Sequence, residues 1–411
     1  MSASFFSRII RVLIGTIGAQ LITMGVMLLL VRLYTPIDLG EFSVWLSFAT
    51  IAAVAVTGRY EMAIFNCGDQ RAIQALLKLI FVIAISSSVL IVGAALLWNT
   101  LAKGLPAVIS LFWVSLVVVI FGMGVNKVVL SLLTYQQAFN KLGVSRVSLA
   151  ACIAVAQVSA AFFFKDVSGL IYGQVFGVIA ATGLSLLWIN SAWLKGSMSS
   201  GWQSARDLAS QHKNFPKFSL PADLLNTAAS QLPVIFIASR FGSEAAGWFA
   251  LTLKMMGAPI SLLAASVLDV FKEQAARDYR TDGNCQRVFL KTFYLLAALA
   301  IIPFVVFAFL AEWAFGLVFG SEWAESGRYA VLLIPLFFMR FVVSPLSYTI
   351  YIAQKQKLDL LWQIVLLLLT CACFMLFQEI DTALWSYSVG YALMYIIYFW
   401  MSYRAAKGDS Q

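Results

Sequence analysis

Apolar runs about as long as a bilayer is thick follow one another almost from end to end of this chain, and few folds survive that constraint. A backbone inside hydrocarbon must satisfy its own N–H and C=O groups, so each run reads as a helix. Only 11% of the 411 residues are charged and 61% are hydrophobic, where soluble domains carry about 25% charged residues. The fold class that follows is an all-α integral membrane protein. Apolar runs and turn residues place twelve spans, at 12–33, 40–64, 76–98, 107–130, 147–164, 169–189, 218–238, 247–270, 288–310, 329–352, 358–377 and 382–402. The first run begins after Arg8 and Arg11. It is too long for a signal-peptide core and no small-residue cleavage site follows it, so it is expected to be retained.

A net charge of +9 would suit nucleic acid if it were gathered on one face. It is dispersed instead in short loops between apolar runs, the pattern that sets membrane orientation, so no nucleic-acid partner is expected. With twelve spans, 21 of the 28 Lys and Arg residues fall on the side of the two termini and 5 on the other, with Lys254 and Arg340 left inside spans. That bias puts both termini in the cytoplasm. The longest polar connection, 190–217, separates an N-terminal six-helix bundle, 1–189, from a C-terminal one, 218–411.

The two halves share a weak signature. Arg32 closes an odd-numbered span ahead of a short turn and Gly40-Glu41-Phe42; Arg240 does the same ahead of Gly247-Trp248-Phe249. Six spans per half insert the same way up, which makes this a parallel repeat. Such repeats carry a transport site at the midplane between the halves.

The N-terminal quarter resembles the O-antigen flippases of the multidrug/oligosaccharidyl-lipid/polysaccharide exporter superfamily. The matching residues are Gly15-Thr16, Arg32-Leu33-Tyr34-Thr35-Pro36, Asp38-Leu39-Gly40-Glu41-Phe42 and, most specific, Arg59-Tyr60-Glu61-Met62-Ala63-Ile64. Beyond residue 65 the resemblance lies in length, span number and repeat. It implies movement of undecaprenyl-pyrophosphate-linked sugar repeat units from the inner to the outer leaflet of a bacterial inner membrane. It also implies membrane lipid, a polysaccharide polymerase and a chain-length regulator as partners.

Charged residues inside spans are the candidates for such a site, because each is costly in hydrocarbon. Arg340 stands mid-run, about 16 Å of helix rise from Tyr329 and from Tyr351, too far to snorkel. Pro335 and Pro345 flank it, and prolines allow kinks. Lys254 lies seven residues inside its span. With Arg59 and Lys127, at the inner ends of spans two and four, these form the expected substrate-binding set of a cationic cavity that opens alternately to each side. Arg59 and Glu61 are two apart and so expected on different helix faces, each with its own partner. Asp223, Glu61, Arg32 and Arg240 are candidates for coupling-ion or gate roles. Structural readings stand beside each: positive-inside placement for Lys127, turn or gate packing for Arg32 and Arg240.

The sequence offers no catalytic or metal residues. The one histidine, His212, lies in the central loop, and no Gly-x-x-x-x-Gly-Lys-Ser/Thr loop exists for a nucleotide phosphate. No cofactor is expected. Two readings compete with the flippase. A drug/cation antiporter of the same superfamily would want acids in its cavity, whereas the two deepest charges here are basic. A membrane enzyme of polysaccharide assembly would want acidic pairs in loops, and Glu379 with Asp381 is the nearest candidate. A lipid II flippase would usually have more than twelve spans.

Overall fold

The computed structural model describes residues 3–408 except 68, 103–106, 190–192, 194, 195, 198–200 and 354, and describes backbone alone at 3–13, 102, 110, 261–266, 269 and 356. Lys103 and Lys195, counted in the charge bias, lie outside the described residues, as do the side chains of Arg8 and Arg11.

Helices follow one another along the chain: α1 (Ala3–Leu33), α2 (Pro36–Ala55), α3 (Gln70–Ala102), α4 (Ala107–Leu111), α5 (Trp113–Tyr135), α6 (Phe139–Ala160), α7 (Val167–Leu187) and α8 (Trp202–Gln211). They continue as α9 (Leu220–Phe241), α10 (Ser243–Asp282), α11 (Gln286–Phe319), α12 (Ala324–Leu332), α13 (Ile334–Val343), α14 (Tyr348–Ile352), α15 (Gln356–Leu376) and α16 (Ile380–Ala406). Among the described residues, nine helical stretches are long and apolar enough to cross a membrane. The three predicted spans without such a stretch fall on α9, α10 and α16; in α10 the apolar run passes through 261–266 and 269, whose side chains lie outside the described residues. The chain is an all-α, multi-pass integral membrane protein.

Two compact units divide it, Met1–Gln231 and Leu232–Gln411. The division falls inside α9, two residues ahead of Pro233, a proline within that helix.

Local sequence explains the element ends. Thr35 and Asp38 form a reciprocal capping box at the start of α2, with Pro36 in the first turn. Such a cap is worth about 1 kcal/mol. In the first unit, α6 and α7 pack closely because α7 presents small residues to α6. A Cβ added to Gly173 would lie 2.5 Å from the Gln157 Cα, and one at Gly177 2.4 Å from the Ile153 Cα. Backbone-to-backbone approach of this kind holds helices together in lipid, where apolar burial gives no drive. In the second unit, the run predicted as one span at 329–352 is broken into α12, α13, a 3₁₀ turn at Ser344–Ser347 and α14. Pro335 opens α13 and Pro345 opens the turn, so each break stands where a ring removes an N–H. Arg32 and Arg240 each stand one residue before the end of their helix, and Gly40 and Gly247 each four residues past the start of the next.

Candidate functional site

In the first unit, four of the expected residues come together at the Lys/Arg-rich end of α2. This helix stops at Ala55 because Gly58 and Arg59 adopt left-handed backbone, with φ of 59° and 63°. For Arg59 that conformation costs about 1–2 kcal/mol. A 3₁₀ helix, Tyr60–Asn66, follows. Stopping the helix leaves carbonyls without partners. Lys127 donates to the Ala53 carbonyl at 3.0 Å, and Ser87 donates to the Val56 carbonyl at 2.8 Å. Lys127 therefore caps the end of α2 from α5.

Glu61 is buried, and the Thr57 hydroxyl donates to its carboxylate at 2.5 Å. Arg59 reaches the other Glu61 oxygen at 3.4 Å and the Asp223 carboxylate, on α9, at 2.9 Å. The expectation that Arg59 and Glu61 point apart is corrected. It assumed an α-helix, whereas the left-handed turn folds both side chains to one side. Asp223 is more than a third exposed, so its pair with Arg59 contributes about 0.2–1 kcal/mol. The Arg59 Nε is buried without a partner. Tyr60 donates to the Ala209 carbonyl at 3.2 Å, tying the polar connection's helix α8 beneath this turn.

In the second unit Arg340 is exposed on α13 and forms no ion pair among the described residues. Helix α13 packs against α16, where Tyr387, Tyr391 and Tyr395 stand at fourth-residue spacing on one face. These tyrosines are buried and continue one another, with ring centroids 4.7 Å apart for Tyr387 and Tyr391. Toward the Lys/Arg-rich end, Tyr398 stacks on Trp362 at 4.2 Å and donates to Asp359. Asp359 is buried, and it also accepts from Tyr351 at 2.7 Å and Gln363 at 2.9 Å. Neutral donors, rather than a cation, hold this carboxylate.

The remaining candidates sit elsewhere. Lys254 is half-buried on α10 and engaged by neighbouring groups. Arg32 is exposed at the end of α1 and also engaged. Arg240 donates to the Phe374 carbonyl at 2.7 Å and to that of Met375, so it caps the end of α15. Arg328 joins Glu325 and Asp381 at the opposite end of the second unit. The hydrogen bonds it donates to Glu325 first, then to Asp381, hold its guanidinium well above the usual range.

Sequence reasoning missed Asp359 and the tyrosine column. The i, i+4, i+8 spacing of Tyr387, Tyr391 and Tyr395 was the available signal.

The structure resembles, over 98% of this chain and 86% of the other, lipid II flippase MurJ in an inward closed conformation, with a TM-score of 0.66 at 10% identity. It also resembles a mutant form of the Vibrio cholerae MATE transporter VcmN, with a TM-score of 0.57 at 12% identity over 98% and 95% of the two chains. A MATE protein in complex with MaL6 matches with a TM-score of 0.60 at 12% identity over 96% and 95%. The chain therefore shares the fold of these transporters. Residues 29–328 match the family model described as polysaccharide biosynthesis protein, and the chain belongs to that family. No curated protein matches the sequence.

Proposed function

We propose that the protein flips undecaprenyl-pyrophosphate-linked oligosaccharide repeat units from the inner to the outer leaflet of a bacterial inner membrane. In this reading twelve spans cross the bilayer as two six-helix repeats, with both termini and the 190–217 connection in the cytoplasm. The matched positions of Arg32 and Arg240, and of Gly40 and Gly247, support the repeat. The task is one a protein must perform: each unpaired hydroxyl moved into an apolar medium costs about 2–7 kcal/mol. A negative headgroup also gains about 2.3 kcal/mol per charge for each 100 mV when it moves outward across a membrane whose inside is negative.

The observation that carries the reading is Arg340. An arginine in an apolar helix without a carboxylate partner is suited to a diphosphate, which its planar fork engages with two parallel hydrogen bonds. A cation carrier would place acids there instead, and the two candidate acids of the first unit, Glu61 and Asp223, are already engaged by Arg59. The test is leaflet accessibility of a labelled pyrophosphate-linked oligosaccharide in proteoliposomes. Wild type moves it to the far leaflet and Arg340→Ala does not. Export of a lipophilic cation by wild type, without movement of the lipid-linked sugar, would favour the antiporter.

A further inference from the structure

The first unit carries a groove of about 460 Å³ walled by α3, α5 and α7. Its walls run along α5 from Phe121 to Leu132, about 16 Å of helix rise. Phe81 and Phe121 in its lining meet edge to face, with centroids 5.8 Å apart, and Val125 and Val128 line it as well. Phe81 is half exposed, so the groove opens sideways. Three polar groups interrupt the apolar lining: Lys78 on α3, Thr182 on α7 and Ser197 beyond it, and of these Lys78 and Ser197 are also engaged by other groups. The Thr182 hydroxyl oxygen is buried without a hydrogen-bond partner. The groove of the second unit, about 310 Å³ between α10, α11 and α13, has no charged residue in its lining.

We infer that the groove of the first unit binds the chain of a long polyprenyl phosphate, with the phosphate at Lys78 and the isoprenoid lying past Phe81 and Phe121. This rests on the proposed lipid-linked cargo and adds where its tail and phosphate are held before the headgroup passes to Arg340. Apolar burial alone cannot select a lipid inside a bilayer, because the surrounding tails are equally apolar. Selection must come from shape and from the polar end. One groove, one cation and two hydroxyls match a lipid whose single chain runs directly into its phosphate. A phospholipid would leave its second chain outside. The volume lies within the range of small-molecule sites, so a segment of the chain is held and the rest stays in lipid.

The test uses a long-chain polyprenyl phosphate with a diazirine near the phosphate end, in nanodiscs of phosphatidylcholine holding the full chain. Labelling is expected on α3, α5 and α7 around Phe81 and Val128. Val128→Trp, which fills the groove, is expected to reduce labelling about tenfold, equivalent to 1.4 kcal/mol. Lys78→Gln reduces it several-fold and makes it insensitive to salt, which a merely structural lysine would not do. Val128→Leu, a milder change, controls for folding and labels to an intermediate degree. Equal competition by phosphatidylglycerol would make this a general lipid groove and overturn the inference, as would labels on other helices. The probe carries no sugar, so this result is independent of oligosaccharide translocation. Failure of wild type to flip the sugar-bearing lipid, with labelling intact, would count against the proposed function alone.

Discussion

The charged turn of the first unit and the broken helix of the second use arginine in opposite ways. Arg59 is held by Glu61 and Asp223, and Lys127 nearby is spent on a backbone carbonyl. Arg340 stands exposed on a helix that packs against the one carrying Tyr387, Tyr391 and Tyr395. Balanced charges secure an irregular backbone, while an unbalanced charge waits for a counterion. Position in the sequence does not separate the two cases; the company each arginine keeps does.

The strongest way to break this contrast is to remove Glu61. Its carboxylate is buried, and Thr57 and Arg59 are arranged around it. Glu61→Ala leaves Arg59 with Asp223 alone and should destabilise the protein by about 3–5 kcal/mol, read as a lowered unfolding midpoint in detergent. Arg340→Ala should change stability by less than about 0.5 kcal/mol, because nothing is left unpaired. If the two variants lost equal stability, Arg340 would be a structural residue and the contrast would fail.

Transport should reverse the order. Arg340→Ala is expected to slow flipping about a hundredfold, near 2.7 kcal/mol, and Arg340→Lys about tenfold, because an ammonium keeps the charge but loses the two-pronged fork. Equal rates for the Lys variant and wild type would mean that charge alone matters at this position.

These differences bear on what the sequence could reveal. The apolar runs were legible, because a period of apolar residues long enough to span hydrocarbon admits little but helix. The breaks around Arg340 were legible too, since Pro335 and Pro345 mark them. The turn at Gly58 and Arg59 was not. Left-handed backbone at an arginine has no sequence signature, and a helix continued through residue 64 put Arg59 and Glu61 on opposite faces. Asp359 stands next to the basic residues Lys355 and Lys357, where a carboxylate reads as solvated. Its partners Tyr351 and Tyr398 come from other helices. The close approach of α6 and α7 could have been read from Gly173 and Gly177, a small-xxx-small pair. A pattern of helices thus reads well from one dimension, whereas partners brought from distant helices do not.

Lys127 sharpens the contrast at a smaller scale. If it serves as a cap on α2, Lys127→Met leaves the Ala53 carbonyl unbonded and costs about 1–3 kcal/mol. Flipping measured per folded molecule should then stay within about twofold of wild type. A loss of flipping comparable to that of Arg340→Ala, in protein with an unchanged midpoint, would move Lys127 from the backbone to the cargo.

The smallest expected effect is the most discriminating. Asp223→Asn removes an ion pair that is partly open to solvent, so stability should fall by only about 0.2–1 kcal/mol, and less at high salt. What changes more is the balance of charge at Arg59, since one of its two carboxylates is gone while Glu61 remains. If Arg59 receives a pyrophosphate, the acid on α9 competes with it, and the variant should bind inorganic pyrophosphate several-fold more tightly than wild type. If Arg59 only secures the turn, affinity should not move. Arg59→Lys in the same background separates charge from geometry: a gain that survives the exchange reflects lost repulsion from Asp223, and a gain that vanishes reflects the guanidinium itself engaging the anion.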